Sequence, residues 1–362
     1  MLSNRHFIIC SFVAALILLS AAAGLHAFLA NMERTQAEVG QPSPAYLESV
    51  RQAKVSQSTY GQWFAAARFG MLITWGPNCL TGKEISWSRS GPTRTSAGTV
   101  VPQQASVPAE RYDSLYREFN PTAFDARAWV AAAQSAGMTY LVFTAKHHDG
   151  FCMFDTATTD YKITNTPLHR DVTAELAAAC HAAGLRFGIY YSPPDWHHPD
   201  FRTTQHARYR AYMHAQIREL CTRYGAVDIL WFDGLDCSAE ELDSPALFAM
   251  IRKLQPGILI NDRAGLLGDF GTPEKYVDET KGLNRLWESC YPIGEQWSYK
   301  PGDKIKSCDE ILKLLTLCNR LHGNLLLDVG PMPTGEMDPE CARRLREVGE
   351  KLKAAQNQPD AS

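Results

Sequence analysis

The chain has 362 residues, enough for one large core, and α/β barrels often use a whole chain of this size. Its 36 basic and 39 acidic residues nearly balance, which argues against a nucleic-acid surface, usually marked by a basic excess. The 8 Trp and 14 Tyr suit a globular protein and fit a sugar site, where rings stack on C–H faces.

Residues 1–30 read as a targeting segment. Arg5 and His6 precede a run over 7–25 without formal charge, followed by the small residues Ala21-Ala-Ala-Gly24 and Ala27. This is the pattern of a signal peptide, or of an uncleaved anchor, so the folded part is expected to be exported and to meet a membrane only through this segment. Residues 31–57 read as a linker with an entry helix, 58–355 as the folded domain, and 356–362 as a disordered tail. Of 10 Cys, nine follow Cys10, scattered without a CxxC pair, so no zinc site is indicated. An odd number in an exported chain leaves at least one free thiol.

The domain alternates short apolar runs with helical patterns. A strand is expected over 68–75, then a long irregular excursion over 77–120 rich in Ser, Thr, Gly and Pro. An Ala-rich helix over 123–137 leads to a strand over 140–144. A helix over 171–183, with Asp171 as N-cap and Gly184 as stop, leads to a strand over 186–191. A helix over 208–224 precedes the strand 229–232, which delivers Asp233 and breaks at Gly234. A helix over 239–254, a strand over 257–261 and a short strand over 286–289 follow. The chain then gives a helix over 308–321, a strand over 324–329 and a last helix over 338–355. Strand and helix in alternation with short links imply a parallel sheet with right-handed crossovers. Seven or eight strands favour an α/β fold of the (β/α)8, TIM-like barrel type. Neither GxGxxG nor a P-loop occurs, and Gly-x-Ser-x-Gly is absent.

The strand ends carry the chemistry. Such ends converge at one face of a barrel and build its active site. They offer Thr74 and Trp75; Lys146, His147 and His148; Tyr190, Tyr191, Asp195 and Trp196; Trp231 and Asp233; Asn261, Asp262 and Arg263; Glu274; and Trp287 with Glu288. Adjacent His147 and His148 point to opposite sides of an extended chain, so one metal would not easily take both. Hydrogen bonding to ligand hydroxyls is the alternative, and a core role for one ring is another. Tyr191 and Trp231 could equally be core aromatics. Arg263 is a cation positioned to favour ionised Asp233. Asp233, Glu274 and Glu288 together indicate glycoside hydrolysis, in which retention needs a carboxylate nucleophile and a second carboxyl as acid/base.

Nine segments in order across residues 60–350 resemble the α-L-fucosidases of glycoside hydrolase family 29. They are Arg68-Phe-Gly-Met-Leu-Ile-Thr-Trp-Gly76, Phe119-Asn-Pro-Thr-Ala-Phe-Asp125, Ala145-Lys-His-His-Asp-Gly-Phe151, Gly188-Ile-Tyr-Tyr-Ser192 with Asp195-Trp196, Leu230-Trp-Phe-Asp-Gly234, Ile260-Asn-Asp-Arg263, Thr272-Pro-Glu274, Trp287-Glu288, and Gly323-Asn-Leu-Leu-Leu-Asp-Val-Gly-Pro331. The resemblance implies a (β/α)8-like barrel, here without the C-terminal β-sandwich common in the family. It implies retaining release of terminal α-L-fucose from a fucosylated glycan, with no metal or other cofactor. Asp233 matches the nucleophile, and Glu274, then Glu288, are the acid/base candidates. Trp75, Glu84, Trp87, His147, His148, Tyr191, Trp231 and Arg263 match or adjoin sugar-pocket positions. Two positions depart from the family: Thr74 stands where His precedes the Trp-Gly of strand one, and Ser86 where Glu precedes the loop Trp. Both touch sugar specificity, which leaves open a glycosidase of altered specificity or a catalytically weakened carbohydrate binder. Linkage preference and oligomeric state are not written in the sequence.

Overall fold

The computed structural model describes residues 59–96, 98–100, 105–277 and 285–356. The targeting segment, the 31–57 linker and, of the expected 356–362 tail, residues 357–362 lie outside the described residues, while Gln356 ends the last helix. Those described all belong to the compact unit Glu48–Ser362. Along the chain come α1 (Gln62–Ala67), β1 (Phe69–Ile73), β2 (Thr93–Thr95), β3 (Gly98–Val100), α2 (Ala109–Ser114), α3 (Ala126–Ser135), β4 (Tyr140–Lys146), α4 (Val172–Ala182), β5 (Arg186–Tyr191) and α5 (His206–Arg223). They continue with β6 (Ile229–Phe232), α6 (Ala239–Leu242), α7 (Ser244–Leu254), β7 (Leu259–Ile260), β8 (Glu288–Pro292), α8 (Cys308–Arg320), β9 (Asn324–Val329) and α9 (Pro339–Gln356).

Seven strands form one parallel sheet in the order β7-β6-β5-β4-β1-β9-β8. Isolated parallel bridges, Asn261 to Phe270, Gly271 to Trp287 and Glu274 to Cys290, carry the ladder from the end of β7 round to β8. The segment 270–274 therefore takes the place of an eighth strand, and the fold is the expected (β/α)8 barrel. The strands are buried on both faces, as parallel strands covered by helices must be. Period-two alternation divides their side chains. Phe69, Met71 and Ile73 of β1 face the helices, while Leu72, Tyr140, Val142, Tyr190, Ile229, Trp231 and Leu326 fill the barrel. Each fully buried side chain of this size contributes about 1.5–3 kcal/mol, so this interior is a packed core and not a pore.

Local chemistry sets the ends. Asp171 caps α4 by accepting from the Ala174 amide, as its position predicts. Ser307 and Glu310 form a reciprocal capping box on α8. The 77–120 excursion is more ordered than its composition indicates: it folds the β2–β3 hairpin and α2. Gly70 leaves the space that the Tyr140 ring occupies, since a Cβ there would sit 2.2 Å from that ring.

Candidate active site

Asp233 follows β6 directly and stands at the C-terminal end of the barrel. Gly234 makes that exit possible. Its amide donates to the Arg263 carbonyl at 2.9 Å, and a Cβ would lie 2.1 Å from the same oxygen. The chain can thus press against the end of β7 and hold the Asp233 side chain at the rim. Tyr190 Oη donates to Asp233 Oδ2 at 2.6 Å, and Arg263 Nη1 donates to Oδ1 at 3.2 Å. His148 Nε2 lies 3.6 Å from Oδ2.

Arg263 also reaches Glu274. The same Nη1 lies 3.0 Å from Glu274 Oε2, while Nε and Nη2 are tied to the Thr272 hydroxyl and carbonyl. The contacts of 3.2 and 3.0 Å laid end to end limit the separation of the two carboxylate oxygens to 6.2 Å. That bound contains the spacing of about 5–5.5 Å that retention requires. The carboxyls differ in surroundings: Asp233 is 13% exposed and Glu274 40% exposed.

A cleft opens above this pair. Leu72, Thr74 and Trp231 line it together with Trp87, His147, His148, Tyr190, Leu235, Cys290 and Trp297. The guanidinium of Arg263 lies over the Trp231 ring at 4.8 Å, and Tyr190 stacks on that indole at 5.3 Å. Trp87 meets His148 and Trp196 edge-on. Burial pushes the His147 imidazolium well below its usual pKa and that of His148 to about 3. Both rings are neutral at pH 7. The cleft has an apolar floor and wall, a carboxylate pair and neutral hydrogen-bonding rings, which is the equipment for a sugar ring.

Several expected site residues fall elsewhere. Glu288 does not line the cleft. It opens β8, opposite Asn324, so it lies at the other end of the strands and inside the barrel. Its carboxyl accepts from Tyr140 Oη at 2.6 Å and Trp231 Nε1 at 2.8 Å, and burial raises its pKa to about 7. Trp231 thus separates Glu288 from the cleft. Tyr191 points outward and donates to Gln216 Oε1 at 2.7 Å, leaving the cleft position to Tyr190. The register pairs Tyr190 with Trp231, which puts both side chains on the barrel-facing side. Trp75 is buried against Phe119, Phe124 and Trp129, with its indole N–H on the Met332 carbonyl. Glu84 accepts from the amides of Trp297 and Ser298 and so anchors the loop that brings Trp297 to the cleft. Trp297 and Leu235 were not expected, since both sit on loops without a strand-end signal. The two adjacent histidines also converge instead of diverging, because β4 ends at Lys146 and a turn follows. Their ring centres are 4.2 Å apart, and ligand atoms of His147, His148 and Asp233 lie within 4.8 Å, close enough to surround a cation.

Fold and cleft together define a (β/α)8 barrel with a two-carboxylate site of the kind that glycosidases use. A family model described as alpha-L-fucosidase matches residues 35–357, and the chain belongs to that family. The tissue alpha-L-fucosidase of Rattus norvegicus is 28% identical over 315 residues, covering 80% of this chain and 68% of that protein. Alpha-L-fucosidase 1 of Arabidopsis thaliana is 29% identical over 248 residues, covering 67% of this chain and 42% of that protein. Against eight curated relatives the chain spans from 42% to 69% of their length. Among solved structures, alpha-L-fucosidase isoenzyme 1 from Paenibacillus thiaminolyticus matches with a TM-score of 0.75 at 36% identity, over 83% of this chain and 77% of that one. A Bacteroides thetaiotaomicron alpha-L-fucosidase, trapped as a covalent intermediate with 2-fluoro-fucosyl fluoride, matches with a TM-score of 0.70 at 28% identity, over 80% of this chain and 73% of that one.

Proposed function

We propose that this chain is an exported, retaining α-L-fucosidase acting on terminal fucose, with Asp233 as nucleophile and Glu274 as acid/base. The observation that carries the reading is the single Arg263 nitrogen shared by the two carboxylates at the cleft. As general acid, Glu274 gives a proton to the glycosidic oxygen while Asp233 attacks the anomeric carbon. The C–O bond to the aglycone breaks, the aglycone leaves as an alcohol, and a fucosyl ester forms on Asp233. Glu274, now a carboxylate, takes a proton from water. Water attacks the same carbon, and Asp233 leaves as carboxylate with the sugar's configuration retained. Tyr190 and Arg263 hold Asp233 in one orientation for attack. The trapped intermediate of the Bacteroides thetaiotaomicron relative supports retention.

A glycosidase of altered sugar specificity is the second reading. Thr74 lines the cleft where the family resemblance leads one to expect His, and the Ser86 hydroxyl is engaged by His147 at 2.6 Å instead of facing a sugar. Turnover of p-nitrophenyl α-L-fucoside beside other aryl glycosides separates the two. Hydrolysis of the fucoside, with the α-anomer formed first by NMR, supports the first reading. Activity confined to another glycoside supports the second, and inactivity on all of them contradicts both. Export rests on the apolar run over residues 7–25. It is tested by fractionating cells that express the full chain, and retention in the cytoplasm would contradict it. The nine described cysteines are free and buried, an arrangement in which thiolates are scarce and unreactive.

A further inference from the structure

Two buried serines hold the Nδ1 atoms of the cleft histidines. Ser86 Oγ lies 2.6 Å from His147 Nδ1, and Ser192 Oγ lies 2.6 Å from His148 Nδ1. Both serines are wholly buried, so each hydroxyl hydrogen must go to a partner in the protein. Those partners differ. Ser86 Oγ accepts the Asp149 amide at 2.8 Å, and an amide is always a donor. The Ser86 hydrogen then has His147 Nδ1 as its acceptor. With the ring reversed, two donors would point at Ser86 Oγ and its own hydrogen would be stranded in the interior. Ser192 Oγ instead lies 2.7 Å from the Pro194 carbonyl, which can only accept. Two oxygens that close repel unless a hydrogen lies between them, so the Ser192 hydrogen is committed to Pro194. His148 Nδ1 must therefore carry a hydrogen and donate to Ser192.

We propose that Ser86 and Ser192 fix the cleft histidines as opposite tautomers, His147 protonated on Nε2 and His148 on Nδ1. The pair then offers a ligand one donor and one acceptor side by side. His148 Nε2 and Asp233 Oδ2, 3.6 Å apart, are both acceptors, and a donor is needed between them. A hydroxyl of a bound sugar meets that need, and this last step rests on the proposed glycosidase reading. The same assignment works against a cation in the group His147, His148 and Asp233. A metal needs a bare nitrogen, and the one His147 has left after Ser86 bears a hydrogen. Ser86 thereby has a positioning function: its backbone N–H donates to Tyr112 Oη at 2.7 Å, and Tyr112 Oη in turn donates to Asp149 Oδ2 at 2.7 Å.

Long-range ¹H–¹⁵N correlation spectra of the unliganded full chain, labelled at histidine, read the tautomers directly. Ser86→Gly and Ser192→Ala assign the two rings. Glycine suits position 86, whose φ is 56°, so the substitution adds no backbone strain there. The wild type should show a bare nitrogen at Nδ1 of His147 and at Nε2 of His148. Ser86→Gly should turn the His147 pattern into a mixture and leave that of His148 alone. On p-nitrophenyl α-L-fucoside the same variant should raise KM about tenfold more than it lowers kcat. Both rings in the same tautomer, or a His147 pattern indifferent to Ser86→Gly, would overturn the proposal. Because the spectra need no substrate, absence of turnover would count against the glycosidase reading and leave the tautomer assignment standing.

Discussion

Asp233 follows one strand of the barrel and Glu288 opens another, and Trp231 stands between their surroundings. At the rim, Asp233 has a guanidinium, a phenol and a neutral imidazole around it and an open cleft in front. In the barrel, Glu288 accepts from two donors and is wholly buried, and that burial raises its pKa to about 7. Residue type alone makes both candidates for catalysis. The end of the strand on which a carboxylate sits decides between chemistry and architecture.

The largest effect should come from Asp233→Ala, which is expected to lower kcat by at least about 10⁴-fold while leaving thermal unfolding near wild type. Steady-state kinetics beside calorimetry check both halves, and wild-type-like turnover would end the nucleophile assignment. Glu274→Ala should lower turnover by about 10²–10⁴-fold on fucosides with poor leaving groups. With a good leaving group its glycosylation step should be spared, and azide should rescue the slowed deglycosylation. If Glu288→Ala gave that pattern and Glu274→Ala did not, the comparison would be reversed.

Glu288→Ala should instead act on stability. It strands the Tyr140 hydroxyl and the Trp231 N–H in the core, at a cost of about 2–4 kcal/mol by denaturant unfolding, with kcat within a few-fold of wild type. The smallest effect is a slope with pH. Glu288 keeps its proton to about 7 in the fold and to 4.5 in the unfolded chain. Its protonated form therefore stabilises the fold fully below 4.5, and that contribution, about 3 kcal/mol at most, is lost as pH rises through 7. Glu288→Gln should gain stability relative to the parent between about pH 5 and about pH 8. A pH-independent difference would remove Glu288 as the source. His148 acts in the opposite sense: its contribution is present above 6.5 and lost as pH falls toward about 3.

Much of this was legible in the sequence. The apolar run ending in Asp233 and Gly234 marked both strand and rim, and Arg263 was expected beside the carboxylate. Glu274 was expected near it too. Glu288 was misplaced through register. A strand over 286–289 would present it at a strand end, whereas β8 runs from Glu288 to Pro292 and presents it at a strand start. Tyr190 and Tyr191 differ by the same kind of one-residue step, which flips a side chain across the sheet. Trp297 and the anchoring of its loop by Glu84 join residues more than 200 positions apart, a contact no local pattern encodes. The convergence of His147 and His148 depends on β4 stopping at Lys146, a limit set by pairing with β5 and not by the local sequence.

The most direct test is to incubate the full chain with 2-fluoro-fucosyl fluoride and map the attachment by peptide mass spectrometry. One covalent 2-fluoro-fucosyl group is expected, carried by Asp233 with the anomeric fluoride released, and absent from Asp233→Ala. A label on any other carboxylate, or turnover of a fucoside by a protein that never becomes labelled, would contradict it.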